Sequence, residues 1–180
     1  MTCAEELCWI DPPERDSGPT DAGAVDASGP VAEHIREAED YDQLTILPGT
    51  TGSAVWTELD DFPDAVGSYM KALPNDGINC LDQPPTDCGA ILIYDLPEMQ
   101  PGTYHLHLRS SSLGPSDDSV HFGVGGTYID FIGLPDGVPW AWRHETVGLL
   151  GEGQQLYLWV REDGAAIDRF VLSQSTDPPE

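Results

Sequence analysis

The chain has 180 residues, 39% of them hydrophobic, and its 32 Asp and Glu residues against 7 Lys and Arg residues give a formal net charge of −25. This length and hydrophobic content predict one folded domain with extensions. The negative charge repels phosphate backbones and anionic lipids, and no apolar run approaches the roughly 18 residues of a membrane-spanning helix, so we expect neither nucleic acid binding nor membrane insertion.

Residues 1–32 are predicted to form an acidic linker that contains two cysteines. The stretch "DPPERDSGPTDAGAVDASGPVA", residues 11–32, has almost no large apolar residue and cannot bury enough surface to fold. Residues 175–180, "STDPPE", have the composition of a second linker. The stretch "MTCAEELCWI" is not a signal peptide, but because the cysteines of the chain are arranged as though for pairing, we expect export after removal of a leader. The linkers predict a module of a longer exported protein.

The four cysteines fall into two close pairs, Cys3 with Cys8 and Cys80 with Cys88. Closing the small ring "CLDQPPTDC" would stabilise the fold by roughly 2.5 kcal/mol in the chain-entropy model. A zinc site is the alternative, but the spacing lacks the C-x-x-C form. Two disulfides are favoured, which predicts an oxidising location: secreted, extracellular or at the cell surface.

From residue 33 onward, short apolar stretches alternate with turn sequences. Examples are "GAILIYDL", "TYHLHLRS" and "QQLYLWVRE", which are rich in β-branched and aromatic residues and show a period of two. Turn signals such as "LPEMQPGT" and "LGEGQ" separate them. Many short strands at regular spacing predict an all-β domain over residues 33–174, a β-sandwich or jelly roll of two antiparallel sheets.

The order of several motifs resembles one family of such domains. "EAEDY", "VGSYMKALPNDG", "AILIYDLPEMQPGTYHLHLR" and "GEGQQLYLWVREDGAAIDRFVLS" follow one another as in the carbohydrate-binding modules related to families 6 and 35 and to malectin-like, galactose-binding-like domains. The resemblance covers residues 33–174. It implies a non-catalytic, monomeric module that binds oligosaccharide or polysaccharide and targets the other domains of its exported chain to that polysaccharide.

The resemblance also implies a structural calcium ion between the first and last strands. Glu37 and Glu39 are two apart on a predicted strand and share a face, and Asp168 of the last strand would bring a third carboxylate. Calcium takes six to eight oxygen ligands, and an acidic protein attracts cations. The alternative is that both glutamates face solvent and Asp168 caps a turn.

Exposed aromatic rings beside polar groups are what sugar recognition requires. In "VPWAWRHE", Trp140 and Trp142 share a face if the segment is extended, and Tyr69 would add a third ring. The alternative is that these side chains fill the core.

The turn "REDG" is the second candidate for sugar contact. Related modules frequently carry Asn two positions before the last-strand Asp, where this chain has Ala166, and this departure moves the prediction to the turn itself. The polar residues predicted to contact sugar are Arg161, Glu162, Asp163 and, in "SDDS", Asp118. The alternative is a hairpin turn in which Arg161 pairs with a neighbouring carboxylate.

Two other functions stay open. One is a structural or adhesive spacer with the same fold and no sugar site. The other is a cupin-like metal-dependent enzyme that uses His105, His107 and His121, although the acidic ligand expected after an H-x-H pair is missing. No serine nucleophile elbow or phosphate-binding fingerprint is present, so we predict that the protein is not an enzyme.

Overall fold

The computed structural model describes residues 32–49, 54–83, 85–149, 151 and 153–179. The Cys3 and Cys8 pair and all but the last residue of the first predicted linker lie outside these ranges. Within them the chain forms eleven strands and no helix. The strands are β1 (Glu33–Glu37), β2 (Gln43–Ile46), β3 (Val55–Leu59), β4 (Tyr69–Leu73), β5 (Ala90–Asp95), β6 (Gly102–Ser111), β7 (Ser119–Val124), β8 (Thr127–Gly133), β9 (Ala141–Leu149), β10 (Gln155–Val160) and β11 (Ala166–Ser173).

The strands form two antiparallel sheets that pack face to face. A six-stranded sheet has the order β3-β4-β11-β6-β9, with β1 also paired to β11, and a five-stranded sheet has the order β2-β5-β10-β7-β8. The predicted all-β sandwich is therefore confirmed. No helix in the described ranges is long and apolar enough to cross a membrane.

The period-two pattern of the strands builds the core between the sheets. In β6, Tyr104, Leu106 and Leu108 belong to the core cluster, and the residues between them lie on the opposite face. Tyr94 of β5 and Phe170 of β11 meet across the sandwich with ring centroids 4.9 Å apart. Each large apolar side chain buried in this way contributes roughly 1.5–3 kcal/mol.

The predicted Cys80–Cys88 disulfide is confirmed in the segment between β4 and β5. The amide of Cys80 donates to the carbonyl of Arg161 at 2.7 Å. The disulfide segment is thereby fastened to the turn between β10 and β11.

Strand pairing brings two loops to one end of the sandwich. Ser110 of β6 pairs with Ala141 of β9, and Ser119 of β7 pairs with Gly133 of β8. The β6–β7 loop (residues 112–118) and the β8–β9 loop (residues 134–140) therefore emerge side by side. The β3–β4 loop (residues 60–68) approaches β11, where the amide of Val66 donates to Asp168 Oδ1 at 2.8 Å.

Candidate functional site

An open cleft of about 340 Å³ lies where these three loops meet, and we call it the loop cleft. Its lining residues are 62–64 of the β3–β4 loop, 111–113 at the end of β6, and 137–139 of the β8–β9 loop. Segments far apart in the sequence therefore contribute to one surface. A cleft between loops at the end of a sandwich is a common place for a binding site.

The lining of the loop cleft is mainly apolar and partly exposed. Leu113 is 65% exposed and Val138 is 43% exposed, and both lie beside the half-buried ring of Phe62. Among the described residues that line the cleft, only Asp64 is charged. Apolar side chains left in contact with water around a concavity are typical of a ligand site rather than of a structural surface.

Hydrogen bonds hold two walls of the cleft in place. Ser111 Oγ donates to the carbonyl of Val138 and Ser112 Oγ donates to the carbonyl of Pro135, each at 3.0 Å. The amide of Gly137 donates to the carbonyl of Ser112 at 3.3 Å. Both serines are buried and use their hydroxyls inside the protein, so the wall is preformed.

Arg109 of β6 holds the third wall. Its Nη2 donates to the carbonyl of Asp64 at 3.0 Å, and its guanidinium carbon lies 5.7 Å from the centre of the Trp140 ring. Asp64 has a positive φ of 64°, a conformation that Asp and Asn tolerate better than most side chains. The β3–β4 loop is therefore fixed at the point where it enters the cleft.

The structure brings Trp140 and Tyr69 together beside Phe62 of the cleft lining. The Trp140 ring lies 5.2 Å from Phe62 and 5.4 Å from Tyr69, and its Nε1 donates to the carbonyl of Pro63 at 3.1 Å. Trp140 is half-buried and follows Pro139 of the lining directly. It is placed to support Phe62 and to border the cleft.

Tyr69 is 2% exposed, so it does not offer a ring to a ligand. Its hydroxyl donates to Asp61 Oδ1 at 2.8 Å, and burial, together with this carboxylate, raises the pKa of Tyr69 to about 12. Tyr69 was expected to stack on a sugar ring, but in the structure it packs against Trp140 and supports it.

Trp142 lies in β9, opposite Arg109 of β6, and is half-buried. It is two residues beyond Trp140 but is not among the residues that line the loop cleft. The two tryptophans therefore differ in their relation to the cleft.

The side chains of the turn "REDG", which was predicted to contact sugar, bond within the protein. Arg161 Nη1 lies 3.0 Å from Glu162 Oε1 and also donates to Ser119 Oγ, and its guanidinium carbon is 4.3 Å from the centre of the Phe131 ring. Glu162 is buried and Ser119 Oγ donates to its Oε2. Arg161 and Glu162 are thus committed to each other, as the hairpin alternative expected, and do not present their polar groups to a ligand.

Asp163 is fully buried, so the expectation that it contacts sugar is corrected. Its Oδ2 accepts the backbone amides of Asp76, Gly77 and Ile78 at 2.6, 2.7 and 3.0 Å. Gly164 follows with a φ of +83°, which glycine adopts without strain. Asp163 therefore fixes the segment after β4.

Replacing Asp163 with Asn is expected to lower the free energy of unfolding by about 1–3 kcal/mol. The change replaces a charged acceptor of three amides with a neutral group and buries an NH2 in the same place. Urea denaturation measures the effect, with Asp76→Asn, an exposed side chain of the same segment, as the matched control. Equal stabilities of the two variants would refute the role assigned to Asp163.

Asp118 is half-buried beside Glu162 rather than in the loop cleft. Burial, followed by hydrogen bonding and repulsion from the Glu162 carboxyl, raises the pKa of Asp118. Its position is explained by the carboxyl pair and does not assign it a contact with ligand.

The carboxylate of Asp168 is compensated by arginine. Its Oδ2 accepts Arg109 Nη1 at 2.5 Å, Arg169 Nε lies 3.6 Å from the same oxygen, and its Oδ1 accepts the amide of Val66. Asp168 is fully buried and lies where the register between β11 and β6 shifts. This carboxylate, as placed, does not fit the predicted role of calcium ligand.

Glu37 and Glu39 fit a cation better. Glu37 Oε1 pairs with Arg169 Nη2 at 3.0 Å, but the Oε2 atoms of Glu37 and Glu39 are both buried without a hydrogen-bond partner. Burial raises the pKa of both side chains. In the described part of the chain, no group of three or more His, Cys, Asp or Glu side chains is arranged to hold a metal ion. Calcium binding stays a prediction.

The three histidines of the cupin-like alternative do not come together. His121 lies in the five-stranded sheet and its Nε2 donates to the carbonyl of Cys80 at 2.8 Å, whereas His105 and His107 lie in the six-stranded sheet. Their ring neighbour is His144 of β9, whose centroid is 5.4 Å from His105 and 5.1 Å from His107. His107 Nε2 donates to the carbonyl of Ser175 at 2.9 Å.

A second group of rings lies on the outer face of the five-stranded sheet. Tyr157 and Trp159 of β10 are stacked with centroids 5.4 Å apart, and Tyr128 of β8 lies 6.3 Å from Trp159. Trp159 is buried but does not belong to the cluster between the sheets, which contains Trp56. This sheet face is a separate aromatic surface from the loop cleft.

Sequence reasoning missed the residues that form the cleft surface itself. Phe62, Leu113 and Val138 each lie in turn-rich sequence, in "DDFPDA", "SSLGPS" and "PDGVP". A large apolar residue inside a turn sequence is the signal that could have found them, since such a residue has no strand face on which to be buried.

No protein-family model matches this sequence, and none of the curated proteins compared with it matches. Solved structures do match. The C-terminal family 6 carbohydrate-binding module of a laminarinase from Zobellia galactanivorans has a TM-score of 0.56 and 16% identity, over 79% of this chain and 99% of the module. A family 35 module from Paenibacillus barcinonensis has a TM-score of 0.57 and 15% identity, over 79% of this chain and 99% of that one.

A third solved structure is a carbohydrate-binding module of lichenase 5A from Cellvibrio mixtus, in complex with cellotriose. Its TM-score is 0.52 at 17% identity, over 79% of this chain and 97% of the module. The predicted resemblance to modules of families 6 and 35 is therefore confirmed at the level of the fold.

Proposed function

We propose that this protein is a non-catalytic carbohydrate-binding module that takes up oligosaccharide or polysaccharide in the loop cleft. The observation that carries the proposal is the cleft itself. Exposed Leu113 and Val138 lie beside Phe62 and the bordering Trp140, on a fold whose solved neighbours are carbohydrate-binding modules.

The lining suits a sugar ring in two ways. The C–H face of a pyranose is apolar and packs on side chains such as those of Leu113, Val138 and Phe62. Ring hydroxyls require hydrogen-bond partners, which the exposed carboxylate of Asp64 at the lining can supply. The walls are held by internal hydrogen bonds, so little conformational entropy is lost on binding.

The module acts by targeting. One of its solved neighbours is the C-terminal module of a laminarinase, and the linker-like composition of residues 11–32 suits attachment to other domains. Binding through such a tether raises the effective concentration of the attached domain on its polysaccharide. An exported location accompanies this role, and the Cys80–Cys88 disulfide is consistent with it.

The test is a binding screen of the protein against insoluble and immobilised polysaccharides. The panel includes β-1,4-glucan, β-1,3-glucan, β-1,4-mannan, β-1,3-galactan and anionic and cationic polysaccharides. Retention on at least one of them, released by the matching oligosaccharide, is the expected result. Absence of binding throughout the panel would favour the spacer function instead.

A calcium ion at Glu37 and Glu39 is part of the proposal. The two buried Oε2 atoms support it, because ionised oxygens without partners are costly to bury and are ligands that calcium prefers. The ion would neutralise the pair and tie the segment after β1 to its surroundings. Asp168 is not required as a side-chain ligand.

Calcium is expected to raise the melting temperature of the wild type more than that of Glu39→Gln. The pH dependence gives a second expectation. Because the pKa values of Glu37 and Glu39 are raised, the folded state holds protons on these side chains more tightly than the unfolded chain does. The stability that the two side chains contribute is therefore present at acidic pH and is lost as the pH rises through their folded-state pKa values. In a chelator at pH 7, Glu39→Gln is therefore expected to melt at a higher temperature than the wild type.

Thermal melts at pH 5 and pH 7, with chelator or with calcium, measure both effects. Glu58→Gln, an exposed glutamate of β3, is the matched control. Equal calcium responses of the wild type and Glu39→Gln would remove calcium from this site.

A further inference from the structure

The charges around the loop cleft point to the class of glycan that it takes. We propose that the cleft selects neutral glycans and rejects those that carry carboxylate or sulfate groups. This inference rests on the proposed function and adds the chemical class of the ligand.

The loops that build the cleft carry negative charge only. The β3–β4, β6–β7 and β8–β9 loops, residues 60–68, 112–118 and 134–140, contain no Lys or Arg. Their acidic residues are Asp60, Asp61, Asp64, Asp117, Asp118 and Asp136. An anionic glycan entering here would meet the Asp64 carboxylate at the lining and charge of the same sign from the other five in the surrounding loops, and like charge disfavours a partner.

Arg109, the arginine nearest to the cleft, already donates hydrogen bonds to groups of the protein. Arg109 donates to Asp168 Oδ2 through Nη1 and to the carbonyl of Asp64 through Nη2, and its guanidinium lies against the Trp140 ring. A glycan carboxylate or sulfate is normally held by a cation that offers two N–H groups. Arg109 has its charge neutralised by a buried carboxylate and does not serve this purpose.

The other cations of the described ranges do not line the cleft either. Arg36, Arg161 and Arg169 each pair with a carboxylate, respectively Asp42, Glu162 and Glu37. Lys71 and Arg143 lie in β4 and β9 and are not among the lining residues. The net charge of −25 adds a longer-range repulsion of polyanions.

A cationic glycan is disfavoured by the lining. Asp61 and Asp117 accept hydrogen bonds from Tyr69 and Asn75, respectively, and neither lines the cleft. Asp64 alone lies at the lining, among apolar side chains and serines. One carboxylate on an apolar surface suits a sugar hydroxyl and does not form a site for an ammonium group.

The experiment uses a matched pair of derivatives of a neutral polysaccharide that the screen identifies. Hydroxyethylation and carboxymethylation to the same degree add similar bulk, but only the second adds charge. Titration calorimetry of the wild type at low salt is expected to give at least about tenfold weaker binding to the carboxymethyl derivative. The difference narrows at 0.5 M NaCl, where the Debye length falls from more than 10 Å to about 4 Å.

Asp64→Asn tests the origin of the selection. Asn tolerates the positive φ of this position, so the loop keeps its conformation while the lining loses its charge. The preference for the hydroxyethyl over the carboxymethyl derivative, taken as the ratio of their affinities, is expected to be smaller than in the wild type.

The outcomes separate this inference from the proposed function. Tighter or equal binding of the carboxymethyl derivative, or preferential binding of an acidic polysaccharide or of chitosan, would overturn the selection for neutral glycans and leave carbohydrate binding in place. Failure to bind any polysaccharide would remove the proposed function and this inference with it.

Discussion

Leu113→Asp is expected to weaken binding to the identified polysaccharide by at least roughly thirtyfold, about 2 kcal/mol. Leu113 lines the loop cleft and is 65% exposed, so its substitution removes ligand contact without removing core packing. The new carboxylate would also lose water when a sugar ring covers it. The loss of affinity should occur with an unchanged melting temperature.

The matched control for this substitution is Leu81→Asp. Leu81 is 54% exposed and lies within the disulfide-closed segment, away from the cleft lining. Calorimetric titration of both variants compares the same chemical change at two places. Wild-type affinity in Leu113→Asp, or equal losses in the two variants, would contradict binding in the loop cleft.

Trp140→Ala and Trp142→Ala extend the comparison to the two tryptophans. Only Trp140 contacts Phe62 of the cleft, so only its substitution is expected to reduce affinity. Because Trp140 also donates to the carbonyl of Pro63, its variant requires a melting curve beside the titration.

Arg109→Met is expected to lower the free energy of unfolding by about 3 kcal/mol, the lower end of the cost of leaving a buried charge without its partner. The Asp168 side chain is fully buried, and Arg109 is its nearest cation. The amide of Val66 and the more distant Arg169 remain, which limits the loss. The β3–β4 loop also loses the hydrogen bond that Arg109 gives to Asp64.

Urea denaturation of Arg109→Met, of Arg143→Met and of the double variant Arg109→Met with Asp168→Asn measures this cost. Arg143 is an exposed arginine of the neighbouring strand β9 and serves as the matched control. The double variant should recover part of the lost stability because it no longer buries an unpaired charge. A loss below about 1 kcal/mol in Arg109→Met would show that Asp168 does not depend on this arginine.

The fold could be predicted because its pattern is local. In β6, Tyr104, Leu106 and Leu108 alternate with polar residues, and this period of two is enough to indicate a half-buried strand. The disulfide was equally local, since Cys80 and Cys88 lie eight residues apart. Local signals of this kind are present in the sequence before any tertiary contact is known.

The candidate site depended on contacts that no local pattern reveals. Asp163 in "REDG" has the sequence character of an exposed turn, yet it accepts three amides from residues more than 80 positions away. His144, and not His121, joins His105 and His107 because β9 pairs with β6 while β7 belongs to the other sheet. Strand order across the two sheets decides both outcomes.

Trp140 was predicted to contact sugar, which stays a prediction, and its neighbours at the loop end were not predicted. Leu113 and Val138 lie 25 residues apart in sequence and become one surface only through the pairing of β6 with β9 and of β7 with β8. The composition of each loop indicated a turn, and the cleft between the loops follows from the tertiary structure.

The most direct test of the account is a nuclear magnetic resonance titration of the labelled protein with an oligosaccharide of the identified polysaccharide. Binding in the loop cleft predicts that the amide shifts change at Ser111, Ser112, Leu113, Gly137 and Val138 and at the indole N–H of Trp140. Changes confined to the strands around Tyr128, Tyr157 and Trp159 would place the site on the five-stranded sheet and contradict binding in the loop cleft.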